Sequence, residues 1–180
     1  TAMRALLTLA TLALPWCLAA PAAASTFFVT LGTVDEPDVD LTDGACTPSG
    51  GVGCTLRAAV MQANHDAGPD TIVLMPMGVT TITLFRMAYD DNALRGDLDV
   101  TDDLTVRTGM FVGSSVWIEW DNSVAPTYDR IFHVLDGASL TLDDVAITTG
   151  YATSGTSAGY GGGVMVEPGA ALHAGDTTFS

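Results

Sequence analysis

The 180 residues carry 21 Asp and Glu against six basic residues, a net charge of −15 at pH 7. A chain this acidic will not seek nucleic acid or an anionic membrane, whose phosphates it would repel. Outside one stretch it reads in Thr, Val, Gly and Asp, the composition of a β protein rather than a helical bundle.

The chain opens with "MRALLTLATLALPWCLAAPAAA" (3–24). One Arg after the Met, an apolar run from Ala5 to Ala20 and a small-residue end describe a secretory signal peptide, with an A-x-A site at Ala22-Ala23-Ala24 and cleavage before Ser25. A membrane helix is the rival, but Pro15 interrupts the run and polar chain follows. A lipoprotein would need small residues just before Cys17, where Pro15-Trp16 stands. Thr1 and Ala2 precede the expected start at Met3 and suggest an upstream-extended reading frame. Loss of residues 1–24 removes Arg4 and no acid, so the net charge of −15 becomes −16. The expected location is secreted or cell envelope. No later apolar run is long enough to span a bilayer.

Residues 25–69 read as an N-terminal cap. "DEPDVDLTDG" (35–44) places Asp38, Asp40 and Asp43 before Gly44. Hard carboxylates on a turn suit Ca²⁺, but the spacing is not that of an EF-hand loop, and a solvated acidic loop is the plainer alternative. With Cys17 gone, Cys46 and Cys54 remain. Two close cysteines in an exported chain predict a disulfide, which over so short a loop stabilises by roughly 2–3 kcal/mol in the chain-entropy model. A zinc site would want more Cys or His nearby. Next comes "TLRAAVMQANH" (55–65), where Leu56, Ala59, Val60 and Ala63 fall on one helical stripe. Thr55 is a natural N-cap, and Asn64 and Gly68-Pro69 stop the helix. This is the one substantial helix expected, over about 55–65. "DTIVL" (70–74) follows as the expected first strand of a new pattern.

That pattern, over residues 70–180, is a repeat. "IFHVLDGASLTLDDVAIT" (131–148) lies over "GVMVEPGAALHAGDTTFS" (163–180) with Phe132 on Val164, Val134 on Val166, Gly137 on Gly169, Leu140 on Leu172, Asp144 on Asp176 and Ile147 on Phe179, always 32 apart. "LDVTDDLTV" (98–106) is a looser copy. Within each copy apolar residues alternate with period 2 in runs of three to five, separated by Gly and Asp turns. Three short strands, three corners and a return to register describe one coil of a parallel β-helix. A β-sandwich would use hairpins and would not predict the 32-residue echo. An open solenoid exposes strand edges at its ends, and a short amphipathic helix is suited to plug one of them.

"GCTLRAAVMQAN" followed by "AGPDTIVLMPMG" resembles the bacterial CSLREA-type domain, whose consensus runs roughly C-[ST]-L-R-E-A-I-x-x-A-N…A-D-T-I-x-L-P-x-G. The resemblance extends through "TFFVTLGTVDEPD", "DGACT", "RGDLDVTDDLTV" and "DRIFHVLDGASLTLDDVAITTG". It implies an exported right-handed parallel β-helix of pectin-lyase-like architecture. Two departures stand out. Ala58 replaces the consensus Glu, removing half of a capping box, and "LMPMG" stands for the usual "LPAG". "YGGGVMV…TTFS" resembles the repeats of surface β-helices but stops before their Asn position, so the chain reads as the N-terminal piece of a longer protein, a monomer continuing into further coils.

Catalytic equipment is sparse. Asp97 and Asp99, two apart in "RGDLDVTDD", form either a carboxylate pair or corner caps that bind backbone N–H groups. A polysaccharide lyase would want a basic residue near acids. The chain has no Lys, Arg57 belongs to the helix, and Arg107 and Arg130 stand apart from any obvious acidic cluster on the same coil. Trp117 and Trp120 in "VWIEW" are candidates for stacking on sugar rings, and core packing is the plainer alternative. His65, His133 and His173 are scattered. In the two clear copies the expected outward residues are Ile131, His133, Leu135, Ser139 and Thr141, then Gly163, Met165, Glu167, Ala171 and His173. Met165 is then the neighbour of His133 and Leu135 that of Glu167, and no acid–base pair results. The expectation is therefore no catalytic residue and no cofactor beyond an optional Ca²⁺. The function expected is a structural or adhesive surface protein whose partners are carbohydrates or other cell-surface ligands. The alternative is a carbohydrate-active β-helix enzyme, a lyase or hydrolase, with its groove on later coils.

Overall fold

The computed structural model describes residues 23–30, 32–51, 53–75, 81–85, 92–109, 116–121, 130–150 and 162–180. Residues 1–22, which hold most of the expected signal peptide, lie outside the described residues. Twelve strands and one helix follow in chain order: β1 Thr26–Val29, α1 Leu56–His65, β2 Asp70–Leu74, β3 Thr81–Leu84, β4 Leu98–Val100, β5 Leu104–Thr108, β6 Val116–Trp120, β7 Phe132–Val134, β8 Ser139–Asp143, β9 Val145–Thr148, β10 Val164–Val166, β11 Ala171–Gly175 and β12 Thr178–Phe179. Among the described residues the protein is all-β with one short helix. No helix among the described residues is long and apolar enough to cross a membrane.

The strands deal themselves into three sheets, ordered β1-β2-β5-β8-β11, β10-β7-β4 and β12-β9-β6-β3. From β2 onward each strand pairs with the one three places later, and every pairing is parallel. Period-2 alternation turns one face of each strand inward, so apolar residues stack in rows. Leu98, Phe132 and Val164 form one row. Ile82, Ile118, Ile147 and Phe179 form another. Ile72, Val106 and Leu142 form a third. All but Val164 and Phe179, which belong to the last strands, are buried.

The 32-residue spacing is the true register of the last two copies: Phe132 pairs with Val164, Leu140 with Leu172 and Ile147 with Phe179. The corners explain why Gly and Asp recur in step. Gly137 and Gly169 have φ of 87° and 94°, and Asp144 and Asp176 have φ of 53° and 46°. Glycine adopts this left-handed region without penalty, and Asp tolerates it better than most residues. At Gly169 a Cβ would also collide with the Asp136 carboxylate. The looser copy is out of step because its corner is shorter. Leu98 pairs with Phe132 but Leu104 pairs with Leu140, since the Asp136-Gly137 corner is two residues longer than Thr101–Asp103.

A strand not foreseen, β1, precedes Asp70–Leu74 and extends the largest sheet beyond β2 in parallel register. One expectation needs correction: α1 buries more than one stripe. Leu56, Ala59, Val60 and Ala63 are buried as expected, but so are Arg57, Ala58, Met61 and Gln62. The segment 35–41 lies over the helix: Leu41 O accepts from Gln62 Nε2, and Asp35 takes Arg57. Thr55 caps the helix as its type predicts, its Oγ1 accepting from Ala58 N at 3.1 Å. The helix ends at His65, with Asp66 as C-cap.

Between them the helix and the cap segment cover strand edges. Asn64 accepts from Thr101 N and donates to Asp99 O, pairing the outer edge of β4 as a strand would. Gly32 O accepts from Thr83 N along β3, and Thr30 N donates to Cys54 O beside β1. These contacts satisfy backbone groups that an open edge would offer to other chains.

Cys46 and Cys54 are bonded, with Cα atoms 5.3 Å apart. The bond ties the cap segment to the residue before the helix N-cap. A non-reducing digest of the protein is expected to contain the linked peptide, and reduction is expected to lower stability by roughly 2–3 kcal/mol. Two free thiols at these positions would contradict the assignment.

Candidate functional site

The sheet β10-β7-β4 turns Leu98, Val100, Phe132 and Val134 inward, so Asp99 and His133 point the other way, as register partners. On most β proteins that face is wet. Here Asp99 is fully buried and His133 is 8% exposed, because the Asn92–Asp97 segment lies against the β4 end. Ala93 N donates to Asp99 Oδ2 at 3.0 Å.

His133 is held from two sides. Its Nδ1 lies 3.2 Å from Asp99 Oδ1, and its Nε2 lies 3.2 Å from Glu167 Oε1. Ionised carboxylates only accept, so both contacts are hydrogen bonds only when both ring nitrogens carry protons. The ring is then an imidazolium bridging β4, β7 and the turn after β10. The Asp99 hydrogen bond raises the His133 pKa above its usual value, helped by the charges of Asp97 and Asp99 and opposed by burial and by Arg130. Glu167 uses its other oxygen to accept from Asp136 N at 3.1 Å. Arg130 completes the group, with Nη1 3.4 Å from Asp97 Oδ2. Trp120, buried, fixes the start of this segment by donating Nε1 to Arg130 O at 2.8 Å.

This cluster overturns the expectation that the outward residues hold no acid–base pair. Met165 is indeed the register partner of His133, but Glu167 reaches back along the strand to the ring instead of facing Leu135. Arg130, expected to lack an acidic cluster on its own coil, pairs with Asp97, which precedes the neighbouring strand β4. Ile131, expected to point outward, is fully buried. Asp97 and Asp99 are both buried and join the same cluster, and Asp99 also caps a backbone N–H as the corner reading requires.

Asp97, Asp99 and His133 place ligand atoms within 4.8 Å of one another, the one such group among the described residues. Both nitrogens of the His133 ring already face carboxylate oxygens at 3.2 Å, and Arg130 pairs with Asp97, so these side chains are engaged with one another in a hydrogen-bonded cluster. Asp38, Asp40 and Asp43 are not brought into one group. Asp38 accepts from Asp40 N and Thr47 N, Asp40 from Thr42 N and Oγ1, and Asp43 from Ala45 N. Hydrogen bonds from Thr42 hold the Asp40 pKa below its ordinary value. Trp117 stands on the outer face of β6 and is 46% exposed, between Thr81 and Ala146 in register. An open groove of about 600 Å³ runs between β1 and the disulfide, lined by Thr26, Phe28, Gly44 and Ala45 among others. It holds no titratable side chain.

The ion pairs make His133 a pH-dependent element. Its pKa is raised in the fold, so its contribution is fully present below the unfolded value near 6.5 and is lost as pH rises through the folded pKa. The expected result is a His133 ring that titrates above 6.5 by NMR and falls back toward 6.5 in Asp99→Asn. Titration below 6.5 in the native chain would contradict the bridge.

No family model, no curated protein and no solved structure matches the chain.

Proposed function

We propose that the chain is the N-terminal part of an exported right-handed parallel β-helix of the CSLREA type, serving as a structural or adhesive scaffold at the cell surface or in the medium. The observation that carries this reading is the pairing of each strand from β2 onward with the one three places later, in three parallel sheets. A chain that visits three sheets in turn and returns to register is a solenoid coil. The signal-like leader and the disulfide support export, since such bonds persist in oxidising compartments. The excess of acid favours solubility and neutral rather than acidic glycans as ligands.

A scaffold role is favoured over catalysis because the cluster with acid–base chemistry is closed. Asp99 and His133 are buried, and both ring nitrogens already face carboxylates. A general base needs to reach a substrate proton within hydrogen-bond distance. The carbohydrate-active reading stands as the alternative. The test is incubation of exported protein, with Ca²⁺, against pectins, alginates and glycosaminoglycans, reading unsaturated-product absorbance and reducing ends. No release is expected. Release that disappears in His133→Ala would overturn the scaffold reading in favour of the enzyme.

A further inference from the structure

The ordered sheet begins at Ser25, and its contacts there are unusual for a mid-chain residue. Ser25 O accepts from Thr71 N, which makes it the first rung of the β1–β2 ladder. Ser25 N donates to Asp70 Oδ1 at 2.6 Å, and Ser25 Oγ donates to Asp66 Oδ2 at 3.1 Å. Asp70 is 2% exposed, and its second oxygen, Oδ2, is buried with no hydrogen-bond partner. Ala23 and Ala24, just upstream, are exposed and outside any strand.

The charge around this point is one-sided. Burial raises the Asp70 pKa, the Ser25 N–H pulls it back, and the neighbouring carboxylates Asp66 and Asp102 push it further up. Asp102 lies alongside, accepting from Gly68 N. Asp66 also accepts from Gln62 Nε2 and has His65 Nδ1 at 3.7 Å. His65 is half exposed, and no Arg or Lys stands among these groups to supply a fixed positive charge. A buried carboxylate with an orphan oxygen and two acidic neighbours is costly unless a cation is added.

We infer that Asp66 and Asp70 form a receptor for the α-ammonium of Ser25, created when the chain is cut between Ala24 and Ser25. This rests on the export reading proposed above. Hydrolysis adds one water to the Ala24–Ser25 bond, leaving a carboxylate on Ala24 and an amine on Ser25 that takes up a proton at neutral pH. The single amide N–H becomes three N–H donors at the same point. One keeps Asp70 Oδ1, and the others are free for the orphan Asp70 Oδ2 and for Asp66. One positive charge also enters the acidic group. Cleavage thus completes the start of the sheet, and the uncut chain carries a fault at its first rung.

The pH dependence follows from the amine. Its folded pKa is raised by Asp66, Asp70 and Asp102, so its contribution is complete below the ordinary α-amino value of about 7.7–8.0 and is lost as pH rises through the folded value. The experiment compares exported protein with the same chain extended by Ala23-Ala24 and with a chain acetylated on Ser25. Intact mass first fixes the natural N-terminus. A start other than Ser25 would overturn the export cleavage and the inference with it. Given a start at Ser25, the α-amino pKa, read from the pH dependence of the Ser25 Cα and Hα NMR shifts of the unmodified chain, is expected about one unit or more above its ordinary value. The free-amine form is expected to melt about 5 °C or more above both blocked forms at pH 7. The gap should close at pH 11 and in Asp70→Asn. Equal melting of free and blocked forms, or an ordinary α-amino pKa, would sink the receptor while leaving the export reading intact.

Discussion

Arg57→Ala is expected to destabilise the protein by roughly 3–5 kcal/mol, because it leaves a carboxylate buried without its counter-charge. Arg57 and Asp35 are both fully buried. The guanidinium Nε and Nη2 donate to the two Asp35 oxygens at 2.6 and 3.1 Å, a bidentate fork. The remaining donors reach Ala93 O at 2.9 Å and Gly96 O at 2.8 Å. Asp35 in turn accepts from Phe85 N, just past β3. One side chain on the helix therefore fastens the cap segment, the end of β3 and the Asn92–Asp97 segment that lies over Asp99. Arg57→Lys is expected to recover only a minor part of the loss, since an ammonium cannot present the planar fork that holds Asp35 while reaching two carbonyls. Urea unfolding of the protein checks both variants. A Lys variant as stable as the parent would show that charge alone, not the fork, matters here.

Leu56→Asp is expected to cost several kcal/mol and to drive aggregation. Leu56 is 1% exposed, within the apolar core. An Asp there would bury a charge with no partner in the described core, and the helix would lift from the edges it covers. Loss of Asn64 from β4 would free Asp99 O and Thr101 N for pairing with other chains. Light scattering of the refolded variant is the measurement. A soluble Leu56→Asp variant with unchanged melting would show that the helix is not what closes this end.

What could be read from the sequence and what could not divides along sequence distance. The 32-residue register was legible because the corners at Gly137/Gly169 and Asp144/Asp176 need left-handed backbone, which restricts the residue type at fixed spacing. The helix and its Thr55 cap were legible because both are local. The disulfide was legible because Cys46 and Cys54 are the two close cysteines left beyond the expected signal peptide. The His133 cluster was not. Asp99 and His133 are register partners 34 residues apart, and the change of corner length hid that pairing behind the clearer 32-residue copy. Glu167 then departs from its own row to reach the ring, a choice made by charge rather than by strand period. Arg57 likewise finds Asp35 and two backbone carbonyls that no periodicity predicts. A row comparison allowing two extra residues at one corner would have set Asp99 beside His133 and flagged the pair.

The central claim is that the strands stack in parallel, three apart in order, with Thr141 of β8 opposite His173 of β11. NOE spectroscopy on the isotope-labelled protein tests it most directly. Parallel pairing predicts amide–Hα contacts linking residues 139–143 to 171–175 at an offset of 32, with no strong Hα–Hα contacts between them. Antiparallel strands bring non-hydrogen-bonded Cα atoms to about 4.5 Å and give strong Hα–Hα contacts. Such contacts between β8 and any other strand would contradict the account.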